Sequence, residues 1–183
     1  MRRRTKARET AMQFLYQVDQ RGEETWEQFD KFLEQAVEDG VLGDPDAKEF
    51  CKRLALGTRR HKEEIDTILR AVARNWDLRR MAAVDRNILR MSTFEMLHCT
   101  DVPPKVVINE AIELGKRFST ANSGAFINGI LDRIRIDKLG ESGDRGGRGG
   151  KSDKGGSGDK DNGVSKDNGV SKDNGGASNP AQG

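Results

Sequence analysis

The stretch AVDRNILRMSTFEMLHCTDVPPKVVINEAIELGKRF, residues 83–118, decides the fold class because it holds two helical patterns separated by a break. Apolar side chains recur at intervals of three and four residues in its first part, which predicts an amphipathic helix over residues 83–98. The segment DVPP at 101–104 interrupts that periodicity, and a second helical pattern then runs to Phe118. The stretch therefore predicts two consecutive helices and no strand.

Helical spacing continues on both sides of this stretch, and no alternating strand pattern bounded by turns interrupts it. Asp44 and Pro45 have the residue types of a helix N-cap followed by a first-turn proline. The sequence thus predicts an all-α fold. The remaining predicted helices are one that ends near Gly22, one over residues 25–40, one long helix over 45–72 that bends near Gly57, and one that begins near Ser123.

The end of the chain, residues 140–183, has a different composition from the rest. It is rich in glycine, lacks Leu, Ile, Phe and Met, and repeats the hexapeptide KDNGVS within residues 160–177. Such a segment cannot bury enough apolar surface to offset its ordering entropy. We therefore divide the chain into a compact domain, residues 1–139, and a disordered tail, residues 140–183.

The residue types needed for catalysis or metal binding are scarce. His61 and His98 are the only histidines, and His61 falls on an apolar helical stripe, which predicts a buried, hydrogen-bonded side chain. The sequence has no CxxC or HExxH motif and no phosphate-binding glycine loop. We expect no catalytic site, no metal site and no cofactor.

Cysteine usage and hydropathy place the chain in a reducing, aqueous compartment. Cys51 and Cys99 lie far apart in apolar helical contexts, and we interpret them as reduced core residues. No apolar run approaches the roughly 20 residues that a membrane-spanning helix needs. These features predict a cytoplasmic protein with no membrane partner.

The first residues carry a local positive charge, although the chain as a whole nearly balances 32 basic against 30 acidic side chains. A helix is predicted to begin in the same stretch, and cations are mildly unfavourable at a helix N-terminus. A local cationic patch on a neutral domain indicates a polyanionic partner. The candidate phosphate-binding residues are Arg2, Arg3, Arg4, Lys6 and Arg8.

Two aromatic residues are candidates for stacking on nucleic-acid bases. Tyr16, the only tyrosine, follows the apolar pair Phe14–Leu15, and Phe126 lies among small residues near the start of the last helix. Single-stranded RNA is bound by cations along its backbone and by aromatic rings stacked on its bases. Ordinary core packing of both rings is the alternative at this point.

Four stretches together resemble the bacterial transcription antitermination factor NusB family. They are NWDLRRMAAVDRNILRMSTFEMLH (75–98), DVPPKVVINEAIELGKRFS (101–119), FINGILDRI (126–134) and the arginine-rich RRRTKARETAMQFLYQ (2–17). The similarity spans about residues 2–136. It implies an all-helical fold of two packed three-helix subunits and a function without catalysis.

The resemblance also implies partners and a role in transcription. Members of the family bind the boxA element of nascent RNA, most often together with the ribosomal protein NusE. The pair helps load an antitermination complex on RNA polymerase, notably in ribosomal RNA operons. By this resemblance, the basic residues from Arg2 to Arg8 and Tyr16, Asn122 and Phe126 contact the RNA, and Asp85 and Arg86 are exposed candidates for contact with NusE.

Asn122 stands where some relatives have aspartate, which would remove a negative charge beside the RNA. Two alternative functions stay open. One is a helical RNA-binding domain like the N-terminal domain of certain ribosomal RNA methyltransferases, which would need a following α/β domain. The other is a protein–protein adaptor that has lost RNA binding.

Overall fold

The structure, a computed structural model, describes residues 3–73 and 77–140, and within them it contains α-helices and short 3-10 turns but no strand. The prediction of an all-α fold is confirmed. The final helix ends in a left-handed glycine cap at Gly140, as helices commonly do. The helices are α1 (Arg3–Arg21), α2 (Phe29–Glu38), α3 (Pro45–Arg60), α4 (Lys62–Val72), α5 (Ala83–His98), α6 (Pro104–Phe118) and α7 (Ser123–Leu139).

The helices pack as two groups, which confirms the two packed three-helix subunits expected from the family resemblance. In the first group α1 packs against α2 and α3, and in the second α5, α6 and α7 pack against one another. Helix α4 contacts α5 and α7 as well as α3, and α1 lies directly against α5. The α1–α5 contact therefore joins the two groups.

Helix α3 begins as the sequence predicts. The Asp46 amide donates a 2.8 Å hydrogen bond to the Asp44 carboxylate, and Pro45 occupies the first turn. This cap satisfies an amide that would otherwise lack a partner at the helix start.

The prediction of one long helix over residues 45–72 is wrong in its continuity. The helix ends at Arg60, His61 takes a non-helical conformation, and α4 begins at Lys62. Gly57 does not mark the break: a Cβ atom there would lie 2.0 Å from Cζ of Phe94. Gly57 is therefore needed for close packing of α3 against the Phe94 ring, and the chain turns one helical turn later.

Helix α5 lies at the centre of the molecule and is buried on nearly every side. Its apolar residues, Ile88, Leu89 and Met91 among them, join the main hydrophobic core. It also buries Arg90 and Glu95, which would be costly if their charges were not paired. Cys51 and Cys99 are buried and unbonded to each other, which confirms the prediction of free core thiols.

Some sequence predictions fall on residues that the structure does not describe. Arg2 and the segment from residue 141 onward lie outside the described ranges, so the predicted tail stays a prediction. Among the helices that are described, none is long and apolar enough to cross a bilayer.

Candidate nucleic-acid interface

Arg3 and Arg4 are exposed at the start of α1 and face acidic groups of neighbouring segments. Arg3 forms an ion pair with Asp44. The Nη2 atom of Arg4 lies 3.2 Å from the Asp101 carboxylate, and its guanidinium lies 4.8 Å from the centre of the Phe50 ring. These two arginines therefore lie on the side of α1 that faces α3 and the loop after α5.

Asp101 binds a second arginine, Arg53 of α3, and this pair affects its ionisation. The hydrogen bond from Arg53 holds the pKa of Asp101 below its ordinary value against the opposing effect of burial, and the charges of Arg53 and Arg4 lower it further. Asp101 is therefore negatively charged across the neutral range. It partly neutralises Arg4 in the absence of a ligand.

Lys6 lies beside a different helix, α6. Its Nζ is 3.3 Å from the Glu9 carboxylate, which Arg117 of α6 also approaches at 3.0 Å. A groove of about 460 Å³ runs between the two helices. It is lined by Thr5, Glu110, Glu113, Leu114, Lys116 and Arg117.

Lys116 and Arg117 thus belong to the same surface as Lys6, which sequence reasoning missed. Both residues close α6, where their attraction to the helix C-terminus already accounts for them. Only the side-chain contacts between α1 and α6, such as the pair of Arg117 with Glu9, show that they extend the cationic surface. We define the α1–α6 patch as Lys6, Lys116 and Arg117, with Glu9 between them.

The prediction that Arg8 contacts phosphate is wrong. Its side chain is buried, with only 3% of the residue exposed, and its Nε donates a 2.9 Å hydrogen bond to Glu95 of α5. Glu110 of α6 lies 3.4 Å from another of its nitrogens. A guanidinium held in this way cannot reach a phosphate, because helices α3, α5 and α6 surround that face of α1. Arg8 is a structural residue.

Tyr16 and Asn122 are accessible, as an RNA contact would require. Tyr16 is 38% exposed and lies two turns beyond Glu9 on α1. Asn122 is exposed immediately before α7, and its side chain makes no capping hydrogen bond there. A Cβ atom at the nearby Gly124 would lie 3.2 Å from Cγ of Lys116, so the segment around Asn122 approaches the α1–α6 patch.

Phe126 has an intermediate environment. Its ring is half-buried and packs against the hydrophobic core from the first turn of α7. Of the two alternatives considered from the sequence, core packing therefore applies to it in part, and stacking on a base stays a prediction. Tyr16 is the better candidate for a stacking platform.

The prediction that Asp85 and Arg86 are exposed is wrong. Asp85 is buried and accepts a 2.9 Å hydrogen bond from the Ser123 hydroxyl. Arg86 donates to the carbonyls of Leu78 and Met81 at 3.0 Å and pairs with Asp19. The periodicity of α5 does not reveal this burial because polar residues occupy both its faces.

Asp19 pairs with two arginines, Arg86 and Arg90, and this pairing lowers its pKa. Burial acts to raise its pKa, but the hydrogen bonds and charges of Arg86 and Arg90 outweigh burial and lower the pKa below the ordinary value. Arg90 also binds Asp66 of α4 at 2.7 Å. This network ties α1, α4 and α5 together.

Arg3, Arg4 and Lys6 form an accessible cationic surface at the start of α1. The exposed ring of Tyr16 and the end of α6 border it. Residues 5–135 match the model of the NusB family. The chain belongs to the NusB family. The match covers nearly all of the described helices, so membership rests on the whole fold.

Curated relatives agree with this assignment. The NusB transcription antitermination protein of Anaeromyxobacter dehalogenans is 46% identical over 134 residues, covering 72% of this chain and 89% of that protein. That of Myxococcus xanthus is 43% identical, covering 73% and 94%. Both are antitermination proteins rather than methyltransferases or other enzymes, so NusB membership places this chain among non-catalytic factors.

A solved structure of antitermination factors NusB and NusE in complex with double-stranded RNA is also similar. It is 34% identical with a TM-score of 0.65, covering 75% of this chain and 98% of that chain. The shared fold at this identity agrees with the NusB family match.

Proposed function

We propose that this antitermination factor binds the boxA element of nascent RNA and does so together with the ribosomal protein NusE. The observation that carries the proposal is the similarity to a solved complex of NusB and NusE with double-stranded RNA, in which this chain covers 98% of the matched chain. The exposed cations at the start of α1 supply the chemistry that such a ligand requires. RNA polymerase in its antitermination complex is the expected final partner.

The cationic residues are paired with acids in the free protein, but these pairs do not prevent RNA binding. Exposed ion pairs contribute only about 0–1 kcal/mol to stability, because water and salt screen them. Arg3 and Arg4 can therefore exchange Asp44 and Asp101 for phosphates at little cost. In the α1–α6 patch, Lys6 and Arg117 share the Glu9 carboxylate, and Lys116 pairs with Glu113 at 2.8 Å, so these cations too would exchange carboxylates for phosphates.

Tyr16 and Asn122 would supply contacts beyond the phosphates. A tyrosine ring 38% exposed on α1 can stack on an unpaired base while its hydroxyl stays in water. The free side-chain amide of Asn122 offers both donors and an acceptor to a base edge. Because Asp85 is buried and Arg86 is mostly covered, we expect NusE to contact mainly other residues.

A mobility-shift titration with boxA RNA, with and without NusE, tests the proposal. We expect weak binding of single-stranded boxA by the protein alone and tighter binding when NusE is present. By linkage, the RNA must raise the affinity for NusE by the same factor. Scrambled single-stranded RNA serves as the control for sequence, and a duplex of the same sequence tests whether a single strand is preferred, since the similar solved complex holds double-stranded RNA.

Two results would count against the proposal. Equal affinity for boxA and scrambled RNA would show that the protein binds polyanions without sequence preference. If RNA did not change the affinity for NusE and no ternary complex formed, the protein would be an adaptor that binds other proteins and has lost RNA binding.

A further inference from the structure

The two histidines of the chain lie next to each other in the fold and share one carboxylate. His61 sits at the junction of α3 and α4, and His98 is the last residue of α5. Their ring centres are 4.1 Å apart. The Nδ1 atom of His61 lies 3.0 Å from Oε2 of Glu64, and Nε2 of His98 lies 3.7 Å from the same oxygen.

We propose that His61, Glu64 and His98 form a binding site for a divalent transition-metal ion, with Zn²⁺ as the best match. Two imidazoles and one carboxylate are donors that zinc commonly takes, and hard ions such as Mg²⁺ prefer oxygen alone. The three donor atoms lie within 4.8 Å of one another. Neighbouring donors on a tetrahedral zinc are roughly 3.3 Å apart, given bonds of about 2.0–2.1 Å, so small side-chain rotations would complete the site.

The surroundings of the three residues favour a cation and hold the rings in place. Helices α3 and α5 both end at this point and α4 begins there, so the partial negative charges of two helix C-termini outweigh the partial positive charge of one N-terminus. Phe94 lies beneath both imidazoles, with ring centres 5.3 Å from His98 and 5.7 Å from His61. Phe94 can occupy that position because Gly57 leaves room for it.

The site is accessible from solvent. The side chains of His61, Glu64 and His98 are 31%, 52% and 29% exposed, so an ion can enter without unfolding. Three protein ligands leave a fourth position for water or for a donor from another molecule. Sequence reasoning missed the site because the two histidines are far apart in the chain. It predicted a buried, hydrogen-bonded His61, and the hydrogen bond to Glu64 is present, but the side chain is only half-buried.

Zinc titration of the full, untagged chain by calorimetry tests this proposal. We expect one Zn²⁺ per chain, no heat with Mg²⁺, and a higher melting temperature with zinc because the ion binds only the folded state. Single variants His61→Gln, His98→Gln and Glu64→Gln should each weaken binding at least tenfold. Glu63→Gln removes a neighbouring exposed carboxylate of the same helix and should leave binding unchanged.

Cobalt provides a second readout that reports on the ligands themselves. Co²⁺ bound by this set should give visible absorption bands of a low-coordinate site, and each histidine variant should lose them. Circular dichroism confirms that each variant is folded. Absence of zinc binding, equal binding by the wild type and the three variants, or binding that is lost only in Cys99→Ser would each overturn the proposal.

Discussion

The guanidinium of Arg8 donates a 2.9 Å hydrogen bond to the carboxylate of Glu95, and this pair joins α1 to α5 inside the protein. Glu95 is completely buried and Arg8 nearly so. The Phe50 ring lies 5.2 Å from the guanidinium and covers it from the side of α3. One side chain from the arginine-rich start thus holds the two helix groups together, while its neighbours stay on the surface.

Removing Arg8 should strongly destabilise the fold. In Arg8→Met, Glu95 is left buried without its charged partner, and breaking a buried pair costs about 3–5 kcal/mol. Urea unfolding followed by circular dichroism measures the change. Arg3→Met, a matched control on the exposed pair with Asp44, should change the free energy of unfolding by less than about 0.5 kcal/mol.

The double variant Arg8→Met, Glu95→Met shows how much of the lost stability comes from the unpaired Glu95 carboxylate and how much from lost packing. Since both charges are then absent, it should recover much of the stability lost in the single variant. If the double variant were no more stable than Arg8→Met, the unpaired carboxylate would not be the cause.

The fold class followed from sequence periodicity because the helices are long and regular, and Pro45 and Pro104 mark the starts of α3 and α6. The break at His61 could not be predicted from that periodicity. The apolar stripe continues across it from Phe50 to Ile65, and helical periodicity alone does not show that the chain changes direction between two helices. That turn depends on where α4 packs, which is a tertiary property.

The candidate site was only partly predictable for a related reason. Counting charges identified a basic start, but the helical turn distributes those charges over several faces. Arg8 points into the core, whereas Lys6 lies beside Arg117, a residue distant in sequence. Pairing between distant residues carries no sequence signal, so neither the buried role of Arg8 nor the α1–α6 patch could be inferred.

Acid should destabilise the protein in part through Asp19. Its folded-state pKa lies below the ordinary value of 3.8, so its pairing with Arg86 and Arg90 contributes stability above that pH. This contribution is lost as the pH falls through 3.8 toward the lowered pKa. Asp19→Asn should therefore be less stable at neutral pH but show a flatter decline below pH 3.8, in urea unfolding at a series of pH values.

Asp137→Asn is the matched control, since Asp137 makes an exposed pair with Arg133. We expect its pH dependence to follow the wild type. An unchanged acid slope in Asp19→Asn would show that the paired arginines do not hold this carboxylate ionised.

Tyr16→Ala should weaken RNA binding by about 1–3 kcal/mol if the ring stacks on a base, since stacking contributes that much per base. Tyr16→Phe keeps the ring and should bind nearly as the wild type does. Phe126→Leu tests the second aromatic while keeping an apolar side chain against the core. If Tyr16→Ala and Tyr16→Phe bind RNA equally well, the exposed ring does not stack.

The salt dependence of RNA binding tests the exposed cations directly. Each phosphate neutralised on a single strand releases condensed counterions, so the log of affinity falls by about 0.7 per contact for each unit of log salt. Replacing Arg3, Arg4 and Lys6 together with alanine should therefore flatten the slope by up to about 2 units. Arg8 is left in place because its loss would destabilise the fold rather than remove a phosphate contact.

A control triple variant makes this measurement specific to the start of α1. Lys31, Arg133 and Lys138 are exposed cations on other parts of the surface, and their replacement with alanine removes the same net charge. We expect the control to keep the wild-type slope, and Tyr16→Ala to keep it as well, because stacking releases no counterions. Equal slopes for the wild type and the Arg3, Arg4, Lys6 variant would mean that these cations do not touch the RNA, and the interface would have to be sought elsewhere on the protein.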